Sequence, residues 1–407
     1  MVAANHKLRV AVVSPFLDKS YGTERMVIEW ISRLTGEFEI HVYSQQVQDL
    51  DLSAIAWHRI PRLPGPHLFN FLWWFAANRI WRSWDQRFRG LHHEVVFSPG
   101  PNCLDADAVS IHIVFAEFLH RMGPELKFSR NRLRSWPRLL HRKLYYRLAV
   151  LLERNVYTNP AVQLILTSKN TSAELERLYG RTGAFPVLYA GVDHSMFNTE
   201  RRVSLREGMR KSLNISDDQF VLLIIGNDWR KKGVPVLIDA LAGMRELPIR
   251  LLVVSRELDS ELRALVREKG LDDVVRLLPP RKDVEHYFAA ADAYVGPSLE
   301  DTYALPAVEA MACGLPVIIS SRAGASGVVT HEVDGLILSD PTSADELSGL
   351  IRQLYADKSL RSRLGERAAA TARQFKWESN ARDLAEIFRQ VVLRKSLPAA
   401  DTLARES

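Results

Sequence analysis

A chain of 407 residues, 47% hydrophobic and 25% charged, has the composition of a globular protein and the length of two α/β domains, which excludes wholesale disorder and a single small core. The net charge of +6 is modest, and the two cysteines, Cys103 and Cys313, give neither a disulfide framework nor metal-ligand spacing, so a reducing, cytoplasmic setting is expected. No run approaches the roughly eighteen apolar residues of a membrane span, and residues 1–7 carry no apolar stretch of a secretory signal.

Short β-branched runs, many of them apolar throughout, alternate with helical patterns, as in parallel strands buried on both faces. Residues 8–15, 38–44, 94–99, 108–115, 161–168 and 185–189 form a first series of predicted strands. Residues 220–226, 249–255, 274–278, 293–297, 316–320 and 336–339 form a second. Two doubly wound, Rossmann-like sheets are the simplest solution. The polar stretch 198–219 has no strand pattern and separates them, giving domains at 1–197 and 198–375. A helix over 376–395, with Trp377, Leu384, Ile387, Phe388 and Val391 on its apolar positions, has no strand after it and is expected to pack back on the first domain. Residues 396–407 read as a polar tail.

In chain order, the first motif is Tyr21-Gly22-Thr23-Glu24-Arg25, after the first strand and at the start of a helix. Gly22 lets backbone approach a ligand closely; equally, a single glycine there is an ordinary turn. Residues 69–84 hold Phe71, Trp73, Trp74, Phe75, Trp81 and Trp84 with Arg79 and Arg82, a mixture that suits either core packing or an anionic interface. His112 lies near the end of a strand, where a lone histidine is usually a satisfied core residue. Between Arg121 and Arg147 the basic residues Lys127, Arg130, Arg132, Arg134, Arg138, Arg142 and Lys143 face only Glu125, with Trp136, Tyr145 and Tyr146 among them, which points to an anionic membrane surface or a lipid-linked partner. No nucleic-acid recognition motif accompanies the charge.

Gly226-Asn-Asp-Trp-Arg-Lys-Lys-Gly233 follows a strand directly and puts Arg230, Lys231 and Lys232 where a diphosphate needs neutralising, the alternative being a solvated basic turn. The longest motif runs from Pro297 to Pro316. Pro306 suits the first position of a helix, and Gly314 followed by Pro316 stops it. The loop before it, with Asp301, Thr302, Tyr303, Ala304 and Leu305, therefore lies between a strand's carboxyl end and a helix's amino end, a place that favours phosphate. Glu309 is read in the first helical turn, leaning back toward that mouth. Taken singly, Glu309 is a helix-dipole partner and Asp301 a turn cap.

Asp301-Thr-Tyr-Ala-Leu-Pro-Ala-Val-Glu309 resembles the acid-x7-acid signature of retaining family 4 glycosyltransferases of the group 1 type, usually Glu-Gly-Phe-Gly-Leu-Pro-x-x-Glu. Gly226 to Gly233 resembles that family's Gly-Arg-x-x-x-x-Lys-Gly, with Lys232 at the lysine and Asn227 in place of the arginine, whose charge Arg230 is expected to supply. Gly22 corresponds to its glycine-rich donor loop, and residues 189–197 and 283–292 match further segments, while Gly327 stands where glutamate is usual. The resemblance implies a GT-B fold of two facing Rossmann-like domains with a C-terminal crossover helix. It also implies transfer of a sugar from a nucleoside diphosphate sugar to an acceptor hydroxyl with retention, without metal or other cofactor. It implies His112 facing the reacting sugar, Lys232 on the diphosphate, Asp301 or its neighbour Glu300 on the donor sugar and Glu309 on the ribose. Gly22, Asn227, Arg230, Thr302, Tyr303, Ala304 and Leu305 would complete the donor site. A glycan or lipid-linked glycan of cell-envelope polysaccharide synthesis is the expected acceptor, with the protein peripheral on the inner membrane face. A GT-B epimerase or phosphorylase, or a non-catalytic sugar-nucleotide or glycan-binding protein, is the alternative.

Overall fold

The computed structural model describes residues 7–122 and 136–397. The chain divides into two compact units, one reaching to Leu188 and resuming at Trp377, the other spanning Tyr189–Lys376.

The first unit runs β1 (Arg9–Val13), β2 (Phe16–Leu17), α1 (Gly22–Leu34), β3 (Glu39–Ser44), β4 (Gln46–Val47), β5 (Ala56–Arg59), α2 (His67–Arg89), β6 (Val95–Pro99), β7 (Ala108–Ile111), α3 (Phe115–Met122), α4 (Trp136–Tyr157), β8 (Gln163–Leu166) and α5 (Asn170–Tyr179). Its main sheet has the order β5-β3-β1-β6-β7-β8, every pair parallel, with Val12 of β1 between Val42 and Phe97. The second unit runs α6 (Thr199–Ser212), β9 (Phe220–Ile225), α7 (Val234–Ala242), β10 (Ile249–Val254), α8 (Ser260–Glu268), β11 (Val275–Leu278), α9 (Glu285–Ala290), β12 (Ala293–Gly296), α10 (Leu305–Ala312), β13 (Val317–Ser320), β14 (Leu336–Leu338), α11 (Ala344–Ala356) and α12 (Lys358–Ala372). Its sheet order, β11-β10-β9-β12-β13-β14, is also all parallel and repeats the first: the chain begins in the middle, steps outward, then returns past its starting strand. Central strands such as Val10–Val13 and Val221–Leu223 are at most 1% exposed, which is why they read as continuous apolar runs.

α13 (Trp377–Ser396) belongs with the first unit. Trp30 Nε1 on α1 donates to Asn380 Oδ1 at 3.4 Å, and the Phe388 ring lies 5.9 Å from Phe38 and 5.4 Å from Phe97.

Three expectations are corrected. The stretch 185–189 makes only a single bridge, Leu166 with Val187, because Pro186 has no N–H for a ladder. The edge strand β5 is not among the predicted strands, since Ala-Trp-His-Arg has no apolar run and none of its side chains is fully buried. The boundary lies after Leu188 and not after Phe197: Val192 N donates to Phe375 O at 3.0 Å, and Phe197 packs edge-on to Phe288 at 5.6 Å, so this segment is tied to the second unit. The polar stretch that follows is largely α6, whose Arg202, Arg206 and Arg210 reach the last carbonyls of α9, supplying partners that a helix end lacks.

Candidate functional site

In an open parallel sheet, ligands bind beyond the carboxyl ends of the strands where the order reverses. In the second unit that point lies between β9 and β12. Directly after β9, Gly226 opens a turn that closes at Gly233, a residue at φ +78° whose hydrogen faces the Pro297 carbonyl so closely that a methyl group there would collide with it. A second tie, Leu299 N to Lys231 O at 2.8 Å, holds the basic turn against the loop after β12. The aliphatic stem of Lys232 lies over Gly226: a Cβ on that glycine would stand 2.6 Å from Lys232 Cε. The stem ends with Nζ donating to Asp301 Oδ2. Asp301 also accepts from Ala304 N at 3.0 Å and Ser298 Oγ at 3.4 Å, so it caps its own loop as well as pairing with Lys232.

The loop is braced from behind. Gly324 N donates to Asp301 O at 3.0 Å and Ala325 N to Tyr303 O at 2.6 Å, while the Tyr303 hydroxyl donates to Ala190 O at 3.3 Å. Ala304, the N-cap of α10, sits at φ 68° and ψ 54°, left-handed backbone that suits the glycine of the usual signature. Thr302 is half-buried, Leu305 is the first helical residue and Pro306 the second. Glu309 therefore lies in the second turn and not the first, and is 2% exposed. Tyr294, inward on β12, marks its surroundings: burial, then the carboxylates of Asp301 and Glu309, hold its phenol well above the usual value. The sequence motif missed Tyr294 because it lies before Pro297, inside a strand that reads as core.

Arg230 points elsewhere. Its guanidinium stacks 3.9 Å from the Trp229 ring centroid and pairs with Glu261 and, at 3.6 Å, Asp259 at the start of α8. Asn227 is half-buried, and its carbonyl accepts from Ser255 Oγ at 2.9 Å.

The first unit has its own site at the equivalent place, beyond β1, β6 and β7. A cavity of about 550 Å3 is lined by Asp18, Tyr21, Glu24, Asn70, Asn102 and His112 among others. α1 begins there at Gly22 with no side-chain cap, and a Cβ on Gly22 would have nothing within 4 Å. His112 follows β7 and is 7% exposed; one ring nitrogen, Nε2, lies 3.0 Å from Ser110 Oγ, while Nδ1 has no hydrogen-bond partner among the described residues. Burial pushes its imidazole down to about 3, so it is neutral at pH 7. Burial, with Asp18 adding to it, pushes Glu24 up to about 7. Glu153 of α4, completely buried, accepts from Phe115 N at 2.8 Å and Ala116 N at 3.0 Å and so fixes the start of α3 beside the cavity. Glu24 stood in the quoted motif without a role, and Glu153 was hidden in an otherwise basic helix.

Of the basic stretch, Lys127, Arg130, Arg132 and Arg134 lie outside the described residues; Arg142 and Lys143 fall on α4. In the aromatic stretch, Trp74 is buried and Arg82 pairs with Asp105 at 2.7 Å, so this part is core, while Phe69 and Trp84 are exposed. No helix among the described residues is long and apolar enough to cross a membrane.

Two parallel doubly wound units, each with its polar cluster at its own switch point, have the α/β architecture of the GT-B fold. Solved structures show the same fold: WaaG, a glycosyltransferase involved in lipopolysaccharide biosynthesis, aligns with a TM-score of 0.77 at 21% identity over 93% of this chain and 99% of that one. Anabaena HepE in complex with UDP and glucose aligns with a TM-score of 0.69 at 20% identity over 94% and 100%. Residues 206–371 match the family described as Glycosyl transferases group 1. The D-inositol 3-phosphate glycosyltransferase of Xylanimonas cellulosilytica is 31% identical over 245 residues, 57% of this chain and 58% of that protein. The chain thus spans little more than half the length of the curated relatives it matches.

Proposed function

We propose that the chain is a retaining glycosyltransferase that moves a sugar from a nucleoside diphosphate sugar to the hydroxyl of a glycan or lipid-linked acceptor. The observation that carries this reading is the Lys232–Asp301 pair at the switch point of the second sheet, beside the amino end of α10. An ammonium group there neutralises charge as it develops on a departing diphosphate, and the helix end adds to it. These groups meet the electrostatic demand of the leaving group without a metal ion. With Arg230 paired to Glu261, the diphosphate falls to Lys232 and the backbone N–H groups of the loop. When donor binds, Asp301 exchanges part of its contact with Lys232 for a sugar hydroxyl; Glu309 serves the ribose, and neutral His112 hydrogen-bonds in the reacting region.

The acceptor class rests on α4. Trp136, Leu140, Leu144 and Leu151 are exposed along it at helical spacing, with Arg142 and Arg147 also exposed, and its one acidic residue, Glu153, is buried. An apolar stripe edged only by cations suits an anionic membrane surface, where lipid-linked glycans are found. The test is a panel of UDP-, GDP- and ADP-sugars, read first as thermal stabilisation and then as release of nucleoside diphosphate with formation of a new glycoside. One donor should stabilise the protein and be consumed with its anomeric configuration kept. Stabilisation without any glycoside across glycan and lipid-linked acceptors leaves a binding protein and overturns the proposal.

A further inference from the structure

The first unit holds a second cavity, also about 550 Å3, between the edge strand β5 and the carboxyl-terminal half of α2. None of its lining residues is shared with the cavity at the strand ends. Its volume is that of a small-molecule site. Three indoles, Trp57, Trp81 and Trp84, form its walls, and His58, Arg59, Asp85 and Arg89 are its charged or titratable groups.

Floor and rim differ in how their polar atoms are used. At the floor, Asp85 is 2% exposed; Oδ2 accepts from the Tyr43 hydroxyl at 2.8 Å and lies 2.7 Å from His58 Nδ1, and Oδ1 lies 3.0 Å from Arg89. His58 Nε2 is in turn 3.0 Å from His41 Nδ1, whose other nitrogen is 3.0 Å from Glu39. The floor's hydrogen-bonding capacity is thus turned inward and its position fixed. At the rim, Trp57 Nε1 donates to Ser44 O at 3.3 Å, but the indole N–H groups of Trp81 and Trp84 have no hydrogen-bond partner among the described residues. Trp84 is 57% exposed. Arg59 stands 5.7 Å over the Trp57 ring and forms no ion pair with any described residue.

Indole faces give flat apolar platforms, and two of the three indole N–H groups are not taken up by a described residue, which matches a ring with one C–H face and hydroxyls around its edge. Two guanidinium groups beside one carboxylate whose oxygens are already occupied leave a surplus of positive charge, suited to phosphate or carboxylate. A purely aliphatic occupant would bury Asp85 and the arginines against hydrocarbon, at a cost in desolvation. We propose that this cavity binds a hexopyranose unit bearing a phosphate or carboxylate group, a second glycan site whose lining includes none of the groups assigned to transfer. The inference rests on the glycosyltransferase reading only for its purpose, holding an extended acceptor; binding itself needs no turnover.

The full chain is titrated with glucose 6-phosphate, a glucuronate-containing disaccharide, a neutral disaccharide and inorganic phosphate, following tryptophan fluorescence and equilibrium dialysis. The anionic sugars should bind saturably; Trp84→Ala and Arg59→Gln, both exposed and so compatible with folding, should each weaken binding by about tenfold. Lys232→Ala should leave that affinity unchanged, which separates this site from the donor site. Equal binding of the neutral disaccharide or of inorganic phosphate alone overturns the assigned ligand class. Absence of sugar binding, with loss of anionic phospholipid vesicle binding in Trp84→Ala, makes the face a membrane surface and overturns the proposal. Sugar binding that survives both substitutions also overturns it, by placing the sugar elsewhere.

Discussion

Lys232 Nζ donates to Asp301 Oδ2 although 69 residues separate the two in the chain. Two sequence motifs, each of which reads singly as a solvated turn or a loop cap, thereby become one polar cluster. Removing the cation leaves a half-buried carboxylate and no ammonium for a leaving diphosphate. Lys232→Ala should lower the rate of sugar transfer by about 100-fold or more, the scale of losing one preorganised charge-stabilising group. The midpoint of thermal unfolding should change far less than the rate, because Asp301 keeps its bonds from Ala304 N and Ser298 Oγ and the lysine side chain is 22% exposed. Initial rates of diphosphate release and calorimetry on the same preparation check both halves; unchanged turnover removes Lys232 from the mechanism.

Glycine-to-alanine substitutions at the two strand ends should part company. At Gly226 the new methyl meets the Lys232 stem within 2.6–2.9 Å and must displace it, so KM for the donor should rise severalfold with the fold intact. At Gly22 nothing of the protein lies within 4 Å, and alanine is a better helix former, so stability should hold or rise. A loss of activity in Gly22→Ala would then report ligand approaching that helix end; equal activity would show that nothing does.

Ala304 carries left-handed backbone at a cost of roughly 1–2 kcal/mol. Ala304→Gly should recover about 1 kcal/mol and raise the unfolding midpoint by a few degrees. A fall in midpoint would mean that the buried methyl contributes more than the backbone strain removes.

Glu24, pushed up to about 7 from 4.5, keeps its proton in the folded protein over a pH range where the unfolded chain has released it. Its contribution to stability therefore falls as pH rises from 4.5 to about 7 and is constant above. Glu153, also raised to about 7, acts the same way, whereas half-buried His93 and buried His112, lowered to about 3, act with opposite sign. The useful measurement is thus the difference between wild type and Glu24→Gln: the wild-type advantage should shrink across that window. A difference independent of pH would contradict the assignment.

Much of the second unit is legible in the sequence because four of its six strands, β9, β10, β12 and β13, are buried along nearly their whole length and announce themselves as apolar runs. The first unit is harder. β5 is an edge strand with a polar sequence, and 185–189 has strand composition but a proline where a donor is needed. For the site, Lys232 and Asp301 stand out because loop chemistry at strand ends is local. Arg230 does not go where its spacing suggests, since Glu261 and Asp259 of a different helix compete for it. The depth of Glu309 likewise depended on where α10 begins, one residue earlier than Pro306 implies.

The return of α13 has a consequence for how the protein is made. Trp30, Phe38 and Phe97 are all specified in the first hundred residues, yet their covering partners, Asn380 and Phe388, are among the later ones translated. While the ribosome is still adding the intervening segment, the amino-terminal half presents an open apolar groove, and its folding can be completed only after residues 377–396 have emerged.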